Sequence, residues 1–347
     1  MDRKNLEKIY KMTQSELKQH AIKCLKTKFD NVVAEDGFVY AKGSVPVLLV
    51  AHMDTVHRQP VTKIVYADNG NRISSPQGIG GDDRNGVAII FEIIKELNCS
   101  VLLCEDEEIG GVGAHKFVDA TYKRTDENGN EVEEKYIEHL DVNYMVEFDR
   151  RGNNDAVFYS CDNTDFIDFV EDMTNFKFAR GSFSDISVLA PAAKIAAVNL
   201  SCGYYNAHTT AEYVKYDEMM DTVEAAKSLI KEKCDKPFEY VEKKYEYPKW
   251  NGNRYCNMSM YYPDDYCNDG YSYGGNLFDQ PSKYKDERLA IIAQNDIDLE
   301  LEVVVLGLDM CEETIVATGE TKAECWMNLF LENPKLCFND IQDYSWG

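Results

Sequence analysis

The sequence predicts an α/β fold: a three-layer sandwich around a mixed, mainly parallel central sheet, followed by a small C-terminal β-β-α unit. Three observations carry that reading. Residues 45–51 (Val-Pro-Val-Leu-Leu-Val-Ala) and 100–104 (Ser-Val-Leu-Leu-Cys) are continuous apolar runs, as expected of strands covered on both faces. Such runs alternate with stretches of helical periodicity, the order that builds layered α/β units. The chain is also long and apolar enough for a full core, with 347 residues of which 44% are hydrophobic.

In chain order, Leu6, Ile9, Tyr10, Leu17, Ala21 and Leu25 recur at helical spacing, with a break near Thr13 and Ser15 as the cap of a second helix. Val32-Val33-Ala34 and Phe38-Val39-Tyr40 flank Glu35-Asp36-Gly37 as a hairpin. The strand at 45–51 runs into His52 and Asp54. Residues 62–75 form a second hairpin turning at Asn69-Gly70-Asn71. The stretch after Asp82 is apolar nearly all round, which predicts a buried helix. After the strand at 100–104 come a short helix over 111–118 and a charged excursion over 121–138, turning at Asn128-Gly129. A third strand at 142–146 leads to Asp149, and 155–159 extends the sheet. A helix over 163–174, a strand over 195–200 and a helix over 217–232 complete the unit.

The formal net charge is −24, which repels nucleic-acid phosphates and argues against a nucleic-acid partner. No apolar run approaches the length of about 18 residues that a membrane span needs. The opening residues lead into a charged amphipathic stretch and not into the apolar core of a signal peptide. The 11 cysteines are scattered, odd in number and without a C-x-x-C pair, which suits a reducing, cytoplasmic setting.

Chemistry-bearing residues stand at the ends of the expected strands, where ligands bind in open α/β sheets. They are His52-Met53-Asp54, Gly80-Gly81-Asp82-Asp83, Glu107-Glu108, Glu147-Phe148-Asp149 and His208. Each has an ordinary alternative. Asp82-Asp83 could cap a helix start, Glu105–Glu108 could be a solvated acidic run, and Asp149 could be a turn acid beside Arg150 and Arg151. Jointly they suit a two-metal hydrolytic site, which needs about five N/O ligands and a separate carboxylate to deprotonate water. Adjacent glutamates at a strand end point in different directions, so one can ligate while the other acts as base. Asp83 in place of Asp82, and Glu147 in place of Asp149, remain open. His20, His57, His115 and His139 fit no motif and read as structural.

This ordered set, His-x-Asp, Gly-x-Asp-Asp, Glu-Glu, Asp and a late His, resembles the co-catalytic di-zinc peptidase superfamily of tripeptidases, aminopeptidases and glutamate carboxypeptidase-like metallohydrolases, over about residues 45–230. The resemblance implies two zinc ions, with cobalt or manganese also suited to such donors. It implies that His52 and Asp149 complete one metal, that Glu108 and His208 complete the other, and that Asp82 bridges them. Glu107 is then the general base, and Asp54 orients the His52 imidazole. Gly181-Ser182-Phe183-Ser184-Asp185 looks like a segment that precedes the last histidine in several relatives, which brings Asp185 toward His208 or the substrate. Tyr204 and Tyr205 precede the His208 loop, where a hydroxyl could serve an oxyanion. The 58 residues between Asp149 and His208, and the 27 between Asp54 and Asp82, leave no room for the inserted domains of many relatives. The excursion at 121–138 or the tyrosine-rich arm would have to cover the cleft instead.

The expected organisation is a lidless catalytic domain over 1–234, a tyrosine-rich linker or arm over 235–284, and a small acidic unit over 285–347. Residues 240–284 hold ten of the 22 tyrosines. Residues 285–347 carry 14 acids and four bases, a net of −10. There, 299–305 and 314–318 read as strands, and the capping box Thr321-Lys322-Ala323-Glu324 opens a helix burying Cys325, Trp326, Leu329 and Phe330. The expected activity is amide-bond hydrolysis by an exopeptidase of the aminopeptidase kind, on short peptides. Deacylation of N-acyl amino acids and a non-catalytic binding protein are the alternatives.

Overall fold

A computed structural model describes residues 2–243 and the backbone of four strands between residues 288 and 346. The chain divides into two units, Met1–Lys249 and Trp250–Gly347.

The first unit opens with helices α1 (Arg3–Lys11) and α2 (Gln14–Lys26). Thr13, and not Ser15, caps α2. Its hydroxyl accepts from Glu16 N while Glu16 accepts from Thr13 N, a reciprocal pair that contributes about 1 kcal/mol. Strands β1 (Val32–Glu35) and β2 (Phe38–Ala41) form the first hairpin. Next come β3 (Val45–His52), β4 (Val65–Ala67) and β5 (Arg72–Ser74), with the turn between the last two at Asp68–Gly70. Helix α3 (Gly81–Ile93) is buried on nearly every side, as its composition requires. Strand β6 (Cys99–Cys104) is wholly buried, and α4 (Val112–Asp119) follows it. The charged excursion is the hairpin β7 (Thr121–Thr125) and β8 (Glu131–Lys135).

Then follow β9 (Tyr144–Arg150), β10 (Asp155–Val157), α5 (Thr164–Thr174) and β11 (Lys177–Ala179). Helix α6 (Asp185–Ala193) was not expected from the sequence, because Pro191 stands inside it and interrupts the helical signal. Strands β12 (Ala197–Ser201), β13 (Tyr204–Tyr205) and β14 (Tyr213–Lys215) lead to α7 (Tyr216–Lys231).

Eight strands form the main sheet in the order β1-β2-β6-β3-β9-β12-β10-β11. Its centre, β6-β3-β9-β12, is parallel, and the flanking pairs β1/β2, β2/β6 and β12/β10 are antiparallel. The sheet is therefore mixed and mainly parallel, with a core on each face. One face packs against α1, α2, α3, α5 and α7 through residues such as Leu17, Val87, Ile90 and Val223. The other packs against α4 and α6 through Phe117, Ile186 and Leu189. A second sheet, β13-β14-β5-β4, is antiparallel.

The buried polar residues that open α3 hold the N-terminal helices in place. Arg84 donates to the carbonyls of Ile9 and Met12 at 3.0 and 2.8 Å, and Asn85 accepts from the Tyr10 hydroxyl at 2.6 Å. The first unit also extends past residue 234. Phe238 packs against Tyr144, Phe166 and Phe169, and its backbone bonds Asn143 and Ala196. Residues 235–243 therefore belong to the packed unit although composition assigns them to a linker.

In the second unit, β15 (Arg288–Gln294), β16 (Leu301–Leu306), β17 (Glu313–Gly319) and β18 (Ile341–Trp346) form one sheet in the order β17-β16-β15-β18. Strands β16 and β17 are the two the sequence anticipates. Strands β15 and β18 add to them, the latter parallel to β15. The expected capping box and helix from Thr321, and the tyrosine-rich stretch from 244 to 284, lie outside the described residues.

Candidate metal centre

The centre of the first unit's sheet dictates where chemistry can gather. From β3 the chain crosses to β6 on one side and later to β9 on the other, so β3 marks the point where strand order reverses. Ligands in open α/β sheets bind beyond the carboxyl ends of strands at such a point. His52 is the last residue of β3, Glu107 and Glu108 follow β6, and Asp149 lies near the end of β9. Asp82 enters at the start of α3, and His208 comes from the loop between β13 and β14.

Asp82 faces two imidazoles with different oxygens. Its Oδ1 is 3.3 Å from His52 Nε2, and its Oδ2 is 3.1 Å from His208 Nε2. On the His52 side, Asp149 Oδ1 is 3.6 Å from Nε2. On the His208 side, Glu108 Oε2 is 3.1 Å from Nε2. Two ligands of a tetrahedral zinc, each about 2.1 Å from the metal, lie about 3.4 Å apart. Asp82 thus stands near ligand spacing from both imidazoles, and among the described residues two sets of three ligand atoms lie within 4.8 Å of one another, His52-Asp83-Asp149 and His52-Asp82-Glu108. His52 Nε2 and Glu108 Oε1 are buried without a hydrogen-bond partner, a costly state that a cation would relieve. The donors are nitrogen and oxygen only, the set suited to zinc and to other divalent transition ions.

The electrostatics agree. Burial and the neighbouring Asp82 hold Asp149 well above the usual carboxylate range. Burial, reinforced by Asp149, does the same to Asp83 and Glu147. Glu107 is pushed up to about 7 by burial, with Asp185, Glu108 and Asp82 adding to it against the pull of His52. Burial draws His52 down, but Asp149, Asp54 and Asp82 overcome it and hold the imidazole well above its ordinary value. Asp82 and Glu108 push His208 up to about 11. Acids crowded this closely call for positive charge, which a divalent cation would supply while displacing the imidazole protons.

Surrounding groups fix the donors. Asp54 Oδ1 is 3.1 Å from His52 Nδ1, and its two oxygens accept from the backbone N–H of Glu107 and Glu108 at 3.0 and 3.1 Å. It therefore sets both the imidazole and the glutamate turn. The two neighbouring aspartates at the start of α3 differ in their contacts. Asp83 lies within reach of His52 and Asp149. Its Oδ1, however, accepts from Gly86 N at 2.9 Å and its Oδ2 from His52 N at 3.3 Å, which engages it with backbone. Gly86 is needed at that contact, since a Cβ there would lie 2.4 Å from the Asp83 carboxylate. Glu147 is fully buried and accepts from the Ser184 hydroxyl.

The acidic run over 105–108 is likewise divided. Glu105 pairs with Lys18 and accepts from Gly37 N, and Asp106 accepts from Gln14. These two tie the N-terminal helix and hairpin together, whereas Glu107 and Glu108 face the cluster.

Two contributors were invisible in the sequence because nothing local marks them. Asn199 on β12 brackets Asp149, accepting from its N–H at 2.8 Å and donating to its carbonyl at 2.9 Å. Glu212 is fully buried and accepts from Gly80 N at 2.9 Å and Asp82 N at 3.1 Å. Replacing Asn199 with leucine is expected to weaken ion binding 10- to 100-fold, the usual cost of losing a group that orients a ligand. Titration of the metal-free variant with zinc checks it.

The remaining expected site residues fall differently. Asp185 is fully buried at the start of α6, its two oxygens lack hydrogen-bond partners, and burial pushes it up to about 6. The Tyr204 hydroxyl donates to Asp149 Oδ1 at 3.3 Å. The Tyr205 hydroxyl donates to Glu218 and its ring stacks on Tyr213. His57, set aside as structural, binds Glu212 Oε2 at 2.7 Å and so touches the surroundings of the cluster.

No protein-family model matches the sequence, and no curated protein matches it. Solved structures do share its backbone course at low identity. An aminopeptidase PepT of Bacillus cereus is 16% identical, with 65% of this chain and 96% of that one covered and a TM-score of 0.49. An aminopeptidase of the archaeon Desulfurococcus kamchatkensis is 14% identical, with 66% and 94% covered and a TM-score of 0.47. A tripeptidase of Staphylococcus aureus is 14% identical, with 65% and 96% covered and a TM-score of 0.43.

Proposed function

We propose that the first unit is a di-zinc hydrolase of amide bonds, an exopeptidase of the aminopeptidase kind acting on short peptides. The observation that carries this is the division of Asp82 between His52 and His208, with Glu107 standing beside the cluster outside both donor groups. His52, Asp82 and Asp149 would hold one ion, and Asp82, Glu108 and His208 the other. Cobalt or manganese would suit the same donors. Ions bound there would polarise a scissile carbonyl and acidify the attacking water.

The chain's own residues do the rest. Glu107 Oε2 lies 3.9 Å from His52 Nε2, close to the cluster yet outside ligand spacing, so it is left to accept the proton of the attacking water. It then returns that proton to the leaving amine as the tetrahedral intermediate collapses. Asp54 keeps Glu107 and Glu108 apart by holding both of their amides. Tyr204 and Asn199 keep Asp149 turned toward His52. The six described cysteines are all free, which fits a reducing cytoplasm as the working place.

Elemental analysis of purified protein, with a peptide panel, tests the reading. The expected result is about two zinc-class ions per chain, fewer in His208→Ala, with hydrolysis of free dipeptides and tripeptides lost on chelation and restored by zinc. N-terminally acetylated peptides and N-acyl amino acids in the same panel separate an exopeptidase from a deacylase. Protein that takes up no ion even when zinc is added back would remove the proposal.

A further inference from the structure

Glu212 is the buried acid that no motif anticipated. Its side chain is fully buried, where an unpaired carboxylate is costly, and it is satisfied entirely by segments that carry the candidate ligands. Gly80 N and Asp82 N donate to it at 2.9 and 3.1 Å, fixing the backbone of the bridging aspartate. The His57 imidazole donates from Nε2 to Oε2 at 2.7 Å, and His57 lies five residues beyond His52 on the loop leaving β3. Glu212 itself ends the loop that presents His208.

That loop needs an anchor. His208 is 56% exposed, and both it and Asn206 adopt left-handed backbone angles, with φ of 64° and 56°, which residues other than glycine seldom take. Its internal bonds are Thr209 Oγ1 to Asn206 O at 2.8 Å, Glu212 N to Thr209 O and Ala211 N to Thr209 Oγ1 at 3.2 Å, and a long one from Asn206 Nδ2 to Ala211 O at 3.5 Å. The firm attachment is at Glu212, four residues after His208. One carboxylate thus ties together the segments bearing His52, Asp82 and His208.

We propose that Glu212, clamped by His57, is the positioning residue of this site: it holds the Asp82 turn and the His208 loop in register, so that the ion between His208 and Glu108 depends on it. The inference rests on the two-ion reading given above. Removing Glu212 frees the His208 loop and loosens the Asp82 backbone, while His52 keeps its anchor on Asp54 and Asp149 keeps its anchors on Asn199 and Tyr204. The loss should therefore fall on one ion more than on the other.

The test uses the full chain with Glu212→Gln, His57→Ala and His57→Gln, each stripped of metal and titrated with zinc against a chromophoric chelator. Melting of the metal-free proteins is followed in parallel. Glu212→Gln is expected to keep the first ion near wild-type affinity and to bind the second 10- to 100-fold more weakly. His57→Ala should shift the second ion in the same direction, and His57→Gln, which keeps a side-chain N–H to offer Glu212, should recover part of it. A merely structural Glu212 would lower the melting temperature and leave both affinities of the folded protein unchanged, and that result overturns the inference. If Glu212→Gln does not fold, wild-type affinities in His57→Ala overturn it equally. Wild-type protein that binds fewer than two ions would instead remove the two-ion reading on which it rests.

Discussion

Glu107→Gln is expected to lower kcat by about 10³-fold while leaving the bound ions in place. General base catalysis by a positioned carboxylate is worth about 10²- to 10⁴-fold, and 10³-fold corresponds to about 4 kcal/mol of barrier. The substitution suits the geometry. The Glu107 side chain is only 10% exposed, so an isosteric amide preserves packing where a truncation would open a void. Its backbone N–H is held by Asp54 and is untouched by the change. What disappears is the capacity to take a proton from water. Single-turnover hydrolysis, with elemental analysis of the same preparation, separates loss of the base from loss of the ions. Wild-type turnover in a variant that retains its ions would show that another group performs the proton transfer.

The contrast with Glu108 explains how much of the site was legible beforehand. Two consecutive glutamates at a strand end must diverge, and Glu108 Oε2 stands 3.1 Å from His208 Nε2 while Glu107 Oε2 stands 3.9 Å from His52 Nε2. The strands behind them were equally legible. Runs such as 45–51 have no polar side to expose, so burial on both faces is forced, and the residues that end them are placed beyond the sheet's edge. The functions of Glu105 and Asp106 were not legible. Their partners, Lys18, Gly37 and Gln14, are distant in sequence, and nothing in an acidic run says which member will find a base.

The same reason hid Asn199 and Glu212. Each acts through backbone groups of a segment that only the fold brings near, and backbone groups leave no trace in sequence. Helix α6 was hidden differently, because Pro191 contradicts a local preference that tertiary packing of Ile186, Leu189 and Ala190 overrides. Tyr205 shows the converse case. Nearness in sequence to His208 suggested a role at the substrate, but strand alternation turns its ring to Tyr213 while Tyr204 turns to Asp149.

In the proposed two-ion site, the bridging position makes Asp82 the residue whose loss should cost most. Asp82→Ala is expected to abolish binding of both ions and reduce hydrolysis to the uncatalysed background, whereas His208→Ala should spare the ion between His52 and Asp149. The difference follows from the two oxygens. Removing His208 takes one donor from one group, but removing the Asp82 carboxylate takes a donor from each. It also removes the negative charge that would most directly offset two cations held there. Stability gives an independent readout. A ligand that binds only the folded state stabilises it by about 4 kcal/mol at a thousand times its dissociation constant. Zinc should accordingly raise the melting temperature of the wild-type protein strongly, that of His208→Ala by a smaller amount, and that of Asp82→Ala not at all. The metal-free Asp82→Ala protein should still fold, because the apolar core on both faces of the sheet does not depend on this carboxylate. Should Asp82→Ala retain one tightly held ion, the carboxylate would belong to a single site, and Asp83, which also lies near His52 and Asp149, would become the candidate for the other.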